Sequence, residues 1–290
     1  MAETTLREAL NKVEIYGVLK EKNLEVKSGD KGRFITGHVV VQTDEHNAHR
    51  VNVFSFEKTS KGDISGVYKG LVTVKDTFVS LADCSDQGLP TSDATKVVIS
   101  NGRFALNEYY DDKGELKSNW VINTSFISQA RDSMSFDPHA TFEVEGFISA
   151  IRTKDEETKI ELIVPIYGGN VIPLTFDVTK LAADYISDNY ERGQTGLFRG
   201  NLINIADVEI KPYQGFGEGR PTKVVTYKRS ITITGGENNP YDEDNAKTYK
   251  SKDIKEALIA RDEYLEKLKD KASKPKETKT TTSSGSSFNW

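Results

Sequence analysis

Cysteine is nearly absent from this chain: Cys84 is the only one in 290 residues. That excludes an intramolecular disulfide and a thiolate metal cluster, and it fits a reducing compartment. No apolar run approaches the ~18 residues of a membrane-crossing helix, and residues 1–12 lack the apolar core of a secretory leader. The expectation is a soluble, cytoplasmic protein (host-cell cytoplasm if the source is viral) with no membrane partner. Two catalytic signatures are also missing, the Gly-x-x-x-x-Gly-Lys-Ser/Thr phosphate loop and the Gly-x-Ser-x-Gly nucleophile turn. Gly215-Phe-Gly-Glu-Gly219 lacks the preceding strand and following helix of a dinucleotide fingerprint and reads as a loop. Histidine is scarce, with four in all. His46 and His49 stand three apart beside Asp44 and Glu45, and read as solvated turn residues rather than metal ligands. Asp111-Asp112 and Asp242-Glu-Asp244 fall in turns with no apolar setting to raise a carboxylate pKa. The expectation is no metal, no cofactor, no catalytic residue, and a protein that is not an enzyme.

What the chain does have is alternation. From residue 12 onward Val, Ile, Phe and Thr recur with period two, the strand signature. A short helix is expected over 3–11, then strands over 12–26, 33–43 and 49–58. An irregular stretch over 59–94 follows, in which 66–82 could be strand or helix. Two more strands are expected over 96–110 and 118–129, joined by the turn Asp111-Asp-Lys-Gly114. Residues 130–140 lack periodicity and read as a linker. The pattern then restarts: strands over 141–153, 159–167 and 171–178, a helix over 181–190 with Leu181, Tyr185 and Ile186 on one side, and strands over 193–208 and 223–234. Three strands, a helical or irregular piece and two strands thus occur twice, which is the element order of the OB barrel. The fold class expected is mainly β: two tandem OB-like barrels with a C-terminal helix and a disordered tail. A plain β-sandwich is the rival. The division is 1–130 for the first barrel with its N-terminal helix, 141–236 for the second, 237–272 for an acidic link and amphipathic helix, and 273–290 for the tail. Ile254, Leu258, Ile259, Leu265 and Leu268 make the helix stripe.

Side chains alternate across a strand, so parity separates core from surface. Val13, Ile15, Gly17 and Leu19, then Ile35, Gly37, Val39 and Val41, then Val51 and Val53 form the inward sets. The outward residues of the first barrel are Tyr16, Lys20, Phe34, His38, Arg50, Asn52, Phe54 and Phe56. Rings interleaved with cations suit a single nucleic-acid strand, whose bases stack for about 1–3 kcal/mol each while cations follow the phosphates. The net charge of −5 does not mark a polyanion binder, but the charge of one face decides binding rather than the sum. In the second barrel Glu143, Glu145, Phe147, Ile163, Pro165 and Tyr167 point outward, an apolar and acidic set that reads as a docking surface for protein. Its candidate strand-binding residues are Phe198 and Arg199, with Tyr213, Phe216 and Arg220 in a glycine-bearing loop.

This arrangement resembles bacteriophage-type single-stranded DNA-binding proteins with tandem OB folds. The resemblance rests on residues 12–58 with their aromatic and basic outward face, the restart at Thr141, and the tail after Ala272. It implies non-enzymatic coating of single-stranded DNA in replication or recombination. It also implies recruitment of replication or recombination proteins through residues 251–290, and leaves self-association open. The tail departs from the class: it keeps an aromatic tip, Phe288 and Trp290, but Lys274, Lys276 and Lys279 face only Glu277 where an acidic lead-in is usual. Two rival readings remain. One is a structural or assembly protein whose β units make only protein contacts, and the other an RNA-binding or replication accessory factor.

Overall fold

The alternating segments pair as antiparallel neighbours, and the short loops between them fix the order. A computed structural model describes residues 6–131, 135–211 and 222–273. Strands β1 (Asn11–Gly29), β2 (Gly32–Gln42) and β3 (Ala48–Phe56) form a meander. β4 (Lys96–Tyr110) and β5 (Leu116–Thr124) form a hairpin, and the two-residue β6 (Ser128–Gln129) lies against β4. β5 pairs parallel with β3, and β4 returns to β1, so the sheet closes in the order β1-β2-β3-β5-β4-β1. The second half repeats this closure. β7 (His139–Lys154), β8 (Glu157–Pro165), β9 (Val171–Val178), β10 (Thr195–Lys211) and β11 (Thr222–Gly236) follow the order β7-β8-β9-β11-β10-β7. Both are five-stranded OB-type barrels. Asn11–Tyr16 of β1 pair with His139–Val144 of β7, so one continuous sheet runs through both barrels.

Small barrels bend their strands sharply, and two glycines allow it. A Cβ on Gly37, whose φ is +143°, would lie 1.9 Å from the Asn23 carbonyl oxygen. One on Gly200 would lie 2.0 Å from the Thr232 oxygen, where β10 changes register. The inward sets are buried as parity requires: Val13, Ile15, Leu19, Ile35, Val39, Val41 and Val51 are all at 0% exposure. A register shift leaves Lys20 unpaired in a bulge, and the core parity passes from Leu19 to Leu24.

The stretch 59–94 resolves into helices. α1 (Gly66–Thr77) is capped by the Ser65 side chain and buries Tyr68, Leu71 and Val74, three residues apart, against the first barrel. α2 (Leu81–Gln87) has a capping box of Ser80 and Asp83, and ends at the left-handed Gly88. α3 (Lys180–Asn189) occupies the equivalent place in the second barrel. Its buried face is Ala182, Ala183 and Ile186, while Leu181 and Tyr185 are exposed, the reverse of the expected side for those two.

Three further expectations are corrected. Residues 6–10 are not helical; they run as an extended strap on the second barrel, with Ala9 N–H donating to the Pro165 oxygen at 2.9 Å and Glu145 N–H to the Leu10 oxygen at 2.8 Å. The outward face of the second barrel is not an open docking surface. Glu145, Phe147 and Ile163 are buried at 3%, 8% and 5% exposure. The strap brings Arg7 onto Glu145, and Phe147 and Ile163 share a core with Tyr249, Ile254 and Ala257. Residues 6–10 thus lie over Glu145 and Pro165 of that face. Helix α4 (Ser251–Ser273) packs back on β4 and β9, burying Ile254 and Ala257 with Leu258 partly buried beside them, and leaves Ile259 exposed rather than in the stripe. No described helix is long and apolar enough to cross a membrane. The tail expected to be disordered lies outside the described residues.

Candidate nucleic-acid interface

The β2–β3 pairing sets Phe34 opposite Phe56, Thr36 opposite Phe54, His38 opposite Asn52, and Val40 opposite Arg50. These positions share the outer face because their neighbours fill the core. The three phenylalanines meet there. Phe34 and Phe54 are 5.5 Å apart between centroids, Phe54 and Phe56 5.0 Å, and Phe34 and Phe56 6.2 Å. Phe54 is 50% and Phe56 38% exposed, an unusual amount for rings that already touch one another.

Beside the rings runs an open groove of about 660 Å³, passing His38, Arg50, Asn52 and Phe54 and continuing to Arg103 and Tyr167. The floor is polar. Arg50 Nε donates to Asn52 Oδ1 at 3.5 Å, and the Asn52 amide donates to Asn123 Oδ1 at 3.4 Å. Partial burial, then the charge of Arg50, holds His38 below its ordinary pKa, so it is neutral at pH 7. The cationic character of the groove therefore belongs to Arg50. Arg103 is already paired with Glu8 at 2.6 Å.

The expected site residues separate into groups. His38, Arg50, Asn52 and Phe54 line the groove, with Phe34 and Phe56 joined to it through the ring cluster. Tyr16 lies elsewhere, stacked on His139 at 4.5 Å where the two barrels join. Lys20 occupies the β1 bulge and does not line the groove. Phe198 cannot receive a base: it is 1% exposed and packs on Tyr190 at 5.3 Å, because its register opposite Val144 turns it inward. Arg199 is committed to Glu143 and Glu237. Tyr213, Phe216 and Arg220 lie outside the described residues. His49 is not a solvated turn residue; it is 3% exposed, and burial pushes its pKa down to about 4.

Residues from other strands join this face without having been expected there. Asn123 comes from β5, and Tyr167, 83% exposed, from the β8–β9 turn of the second barrel. Trp120 and Arg229 border an adjoining cavity. Tyr167 was legible as an outward residue, but only the packing of the barrels carries it to the first barrel's groove.

Two closed five-stranded barrels joined edge to edge, one bearing an open aromatic and cationic face, define a tandem OB-barrel protein. The chain belongs to the YorF family, whose sequence pattern matches residues 9–271. A comparison with curated proteins finds no match. Among solved structures the chain is similar to the single-stranded DNA binding protein from Thermus aquaticus. A deletion mutant of that protein is 15% identical, with 83% of this chain and 99% of that chain covered and a TM-score of 0.49. The wild-type protein is also 15% identical, with 73% and 98% covered and a TM-score of 0.44.

Proposed function

We propose that this protein binds single-stranded DNA without catalysing a reaction on it, in replication or recombination, and that the outer face of β2 and β3 is the main contact. The observation that carries this reading is the exposed cluster of Phe34, Phe54 and Phe56 beside the groove of Arg50. Three rings within 5.0–6.2 Å of one another, left partly in water, give successive bases platforms to stack on. Arg50 has no carboxylate within ion-pair distance among the described residues, so a phosphate would find it uncommitted.

In this reading the first barrel, 1–130, supplies the stacking face, and the second, 141–236, extends it. Helix α4 packs on the barrels but leaves Ile259 and Tyr264 outward, the part of it open to a replication or recombination partner. The assembly-protein reading shares the rings but has no use for an uncommitted Arg50, and direct competition between DNA and RNA oligomers decides the nucleic-acid preference.

The test is fluorescence titration with oligo(dT) at two salt concentrations, on the wild type and on Phe34→Ala/Phe54→Ala. Affinity should fall steeply with salt, and the double substitution should weaken it roughly 30-fold or more, the equivalent of two lost stacks. An absence of binding, or binding untouched by the substitutions, would sink the proposed face.

A further inference from the structure

The β10–β11 hairpin is longer than its barrel needs. β10 pairs with β7 only over Thr195–Asn201, yet the two hairpin strands stay paired as far as Lys211 and Thr222. The excess crosses to the first barrel. Ile205 bridges to Asn47, Asn204 N–H donates to Asn47 Oδ1 at 3.2 Å, and the Asn204 amide donates to the Ala48 oxygen. On the opposite strand, the Arg229 guanidinium lies 3.6 Å from the Trp120 ring centroid and donates from Nη2 to the Trp120 carbonyl at 2.8 Å. Phe104 braces the same indole by an edge contact at 5.8 Å. A guanidinium held over an aromatic ring by cation–π attraction does not spend its N–H donors on that contact. One is used by the carbonyl, and among the described residues no other acceptor takes the rest.

Between hairpin and barrel is a cavity of about 290 Å³, bordered by His49, Arg50, Asn52, Trp120, Asn204 and Arg229. Its charge is out of balance. Arg7, Arg33, Arg103, Arg152, Arg199 and Arg261 are each paired with a glutamate. Arg50 and Arg229 have no carboxylate within ion-pair distance among the described residues. Instead they share one cavity, and Arg229 is held below its ordinary pKa by desolvation first and by the charge of Arg50 second. His49, neutral at pH 7, adds no charge to the pair. Two unpaired guanidiniums brought together by separate barrels repel unless an anion comes between them. Arg50 and Asn52 border both this cavity and the groove beside the phenylalanine cluster, so the two adjoin.

We propose that Arg229 on the second barrel's hairpin and Arg50 on the first barrel form one phosphodiester-binding site, with Trp120 positioning Arg229. A single strand stacked on the phenylalanines then passes its backbone beneath the hairpin, and neither barrel alone completes the surface. This rests on the single-strand reading above.

The test uses the full chain with Trp290→Phe, which leaves Trp120 as the sole tryptophan, titrated with oligo(dT) across a salt series. Arg229→Gln should weaken binding about five- to tenfold at low salt. It should also make the slope of log K against log salt shallower by about 0.7, the value of one phosphate contact on a single strand. Arg229→Lys should retain the slope, and Phe54→Ala should lower affinity with the slope unchanged. If Arg229→Gln leaves the slope intact while Phe54→Ala weakens binding, this inference fails and the single-strand reading stands. If Gln and Lys lose slope equally, Arg229 serves only to dock the hairpin and the inference is again overturned. A third arm adds inorganic phosphate: a full Trp120 response to phosphate, with oligo(dT) affinity unaffected by Arg229→Gln, assigns the site to the free anion and overturns it. A parent chain that does not bind oligo(dT) overturns the single-strand reading together with the inference.

Discussion

His49 shows how a residue's chemistry depends on what surrounds it. Beside Asp44, Glu45 and His46 it has the sequence setting of a wet turn, yet β3 turns it inward, and burial takes its pKa from 6.5 to about 4. The unfolded chain binds a proton at this site as pH falls below 6.5, whereas the folded chain resists until about pH 4. Stability at this site is therefore fully present above pH 6.5 and is lost across the window down to about 4, by about 3 kcal/mol in all. The urea midpoint should fall between pH 7 and pH 4.5, and His49→Gln should flatten that fall. Asp44, Asp83 and Glu108 are held below their ordinary values, so their contributions disappear at lower pH and do not mimic the effect. A midpoint of the Gln variant that tracks the wild type through this window would show that His49 is not responsible.

At the scale of elements, helix α4 is the piece whose placement could not be read from its own composition. Mixed charge on an amphipathic helix suits a partner's surface as well as its own chain's, and the deciding contact is distant in sequence. Arg261 reaches Glu108 on β4 at 2.9 and 2.5 Å, with side-chain exposures of only 12% and 8%. Desolvation opposes the charge on Glu108, but hydrogen bonds from Arg261 and Ser118 outweigh it and keep the carboxylate ionised. Removing one partner strands the other. Arg261→Ala should cost about 3–5 kcal/mol, whereas Glu108→Leu/Arg261→Met should cost clearly less than the single change. Chemical denaturation of the three chains checks this, and a double variant no more stable than Arg261→Ala would refute it.

At the scale of the molecule, the two barrels are bound by several contacts at once. β1 pairs with β7, Tyr16 stacks on His139, the N-terminal strap lies on the second barrel, the β10–β11 hairpin lies on the first, and α4 touches β4 and β9. Apolar residues of both barrels form one cluster, in which Phe104 meets Phe142 at 5.7 Å and Phe176 at 6.2 Å. A structure so joined should unfold as a single cooperative transition, with Trp120 emission and far-UV circular dichroism giving the same midpoint. Two separated transitions would mean that the barrels are energetically independent despite the shared sheet.

The residues by themselves determined most of the strands and put Phe34, Phe54 and Phe56 on the outer side of theirs; they pointed to the barrel order but left a β-sandwich open. Period-two alternation needs no knowledge of distant neighbours: once Val51 and Val53 are inside, Phe54 and Phe56 are out, and β2 brings Phe34 beside them. Only the tertiary structure decided which outward faces stay open. Phe147 and Ile163 obey the same parity but are buried, and Phe198 is turned inward by its pairing with β7. Arg229, more than a hundred residues from Trp120, acquires its place from the docking of a hairpin on another barrel. Alternation reports a residue's side of its own strand. What lies against that side is set by long-range packing, which carries no local period.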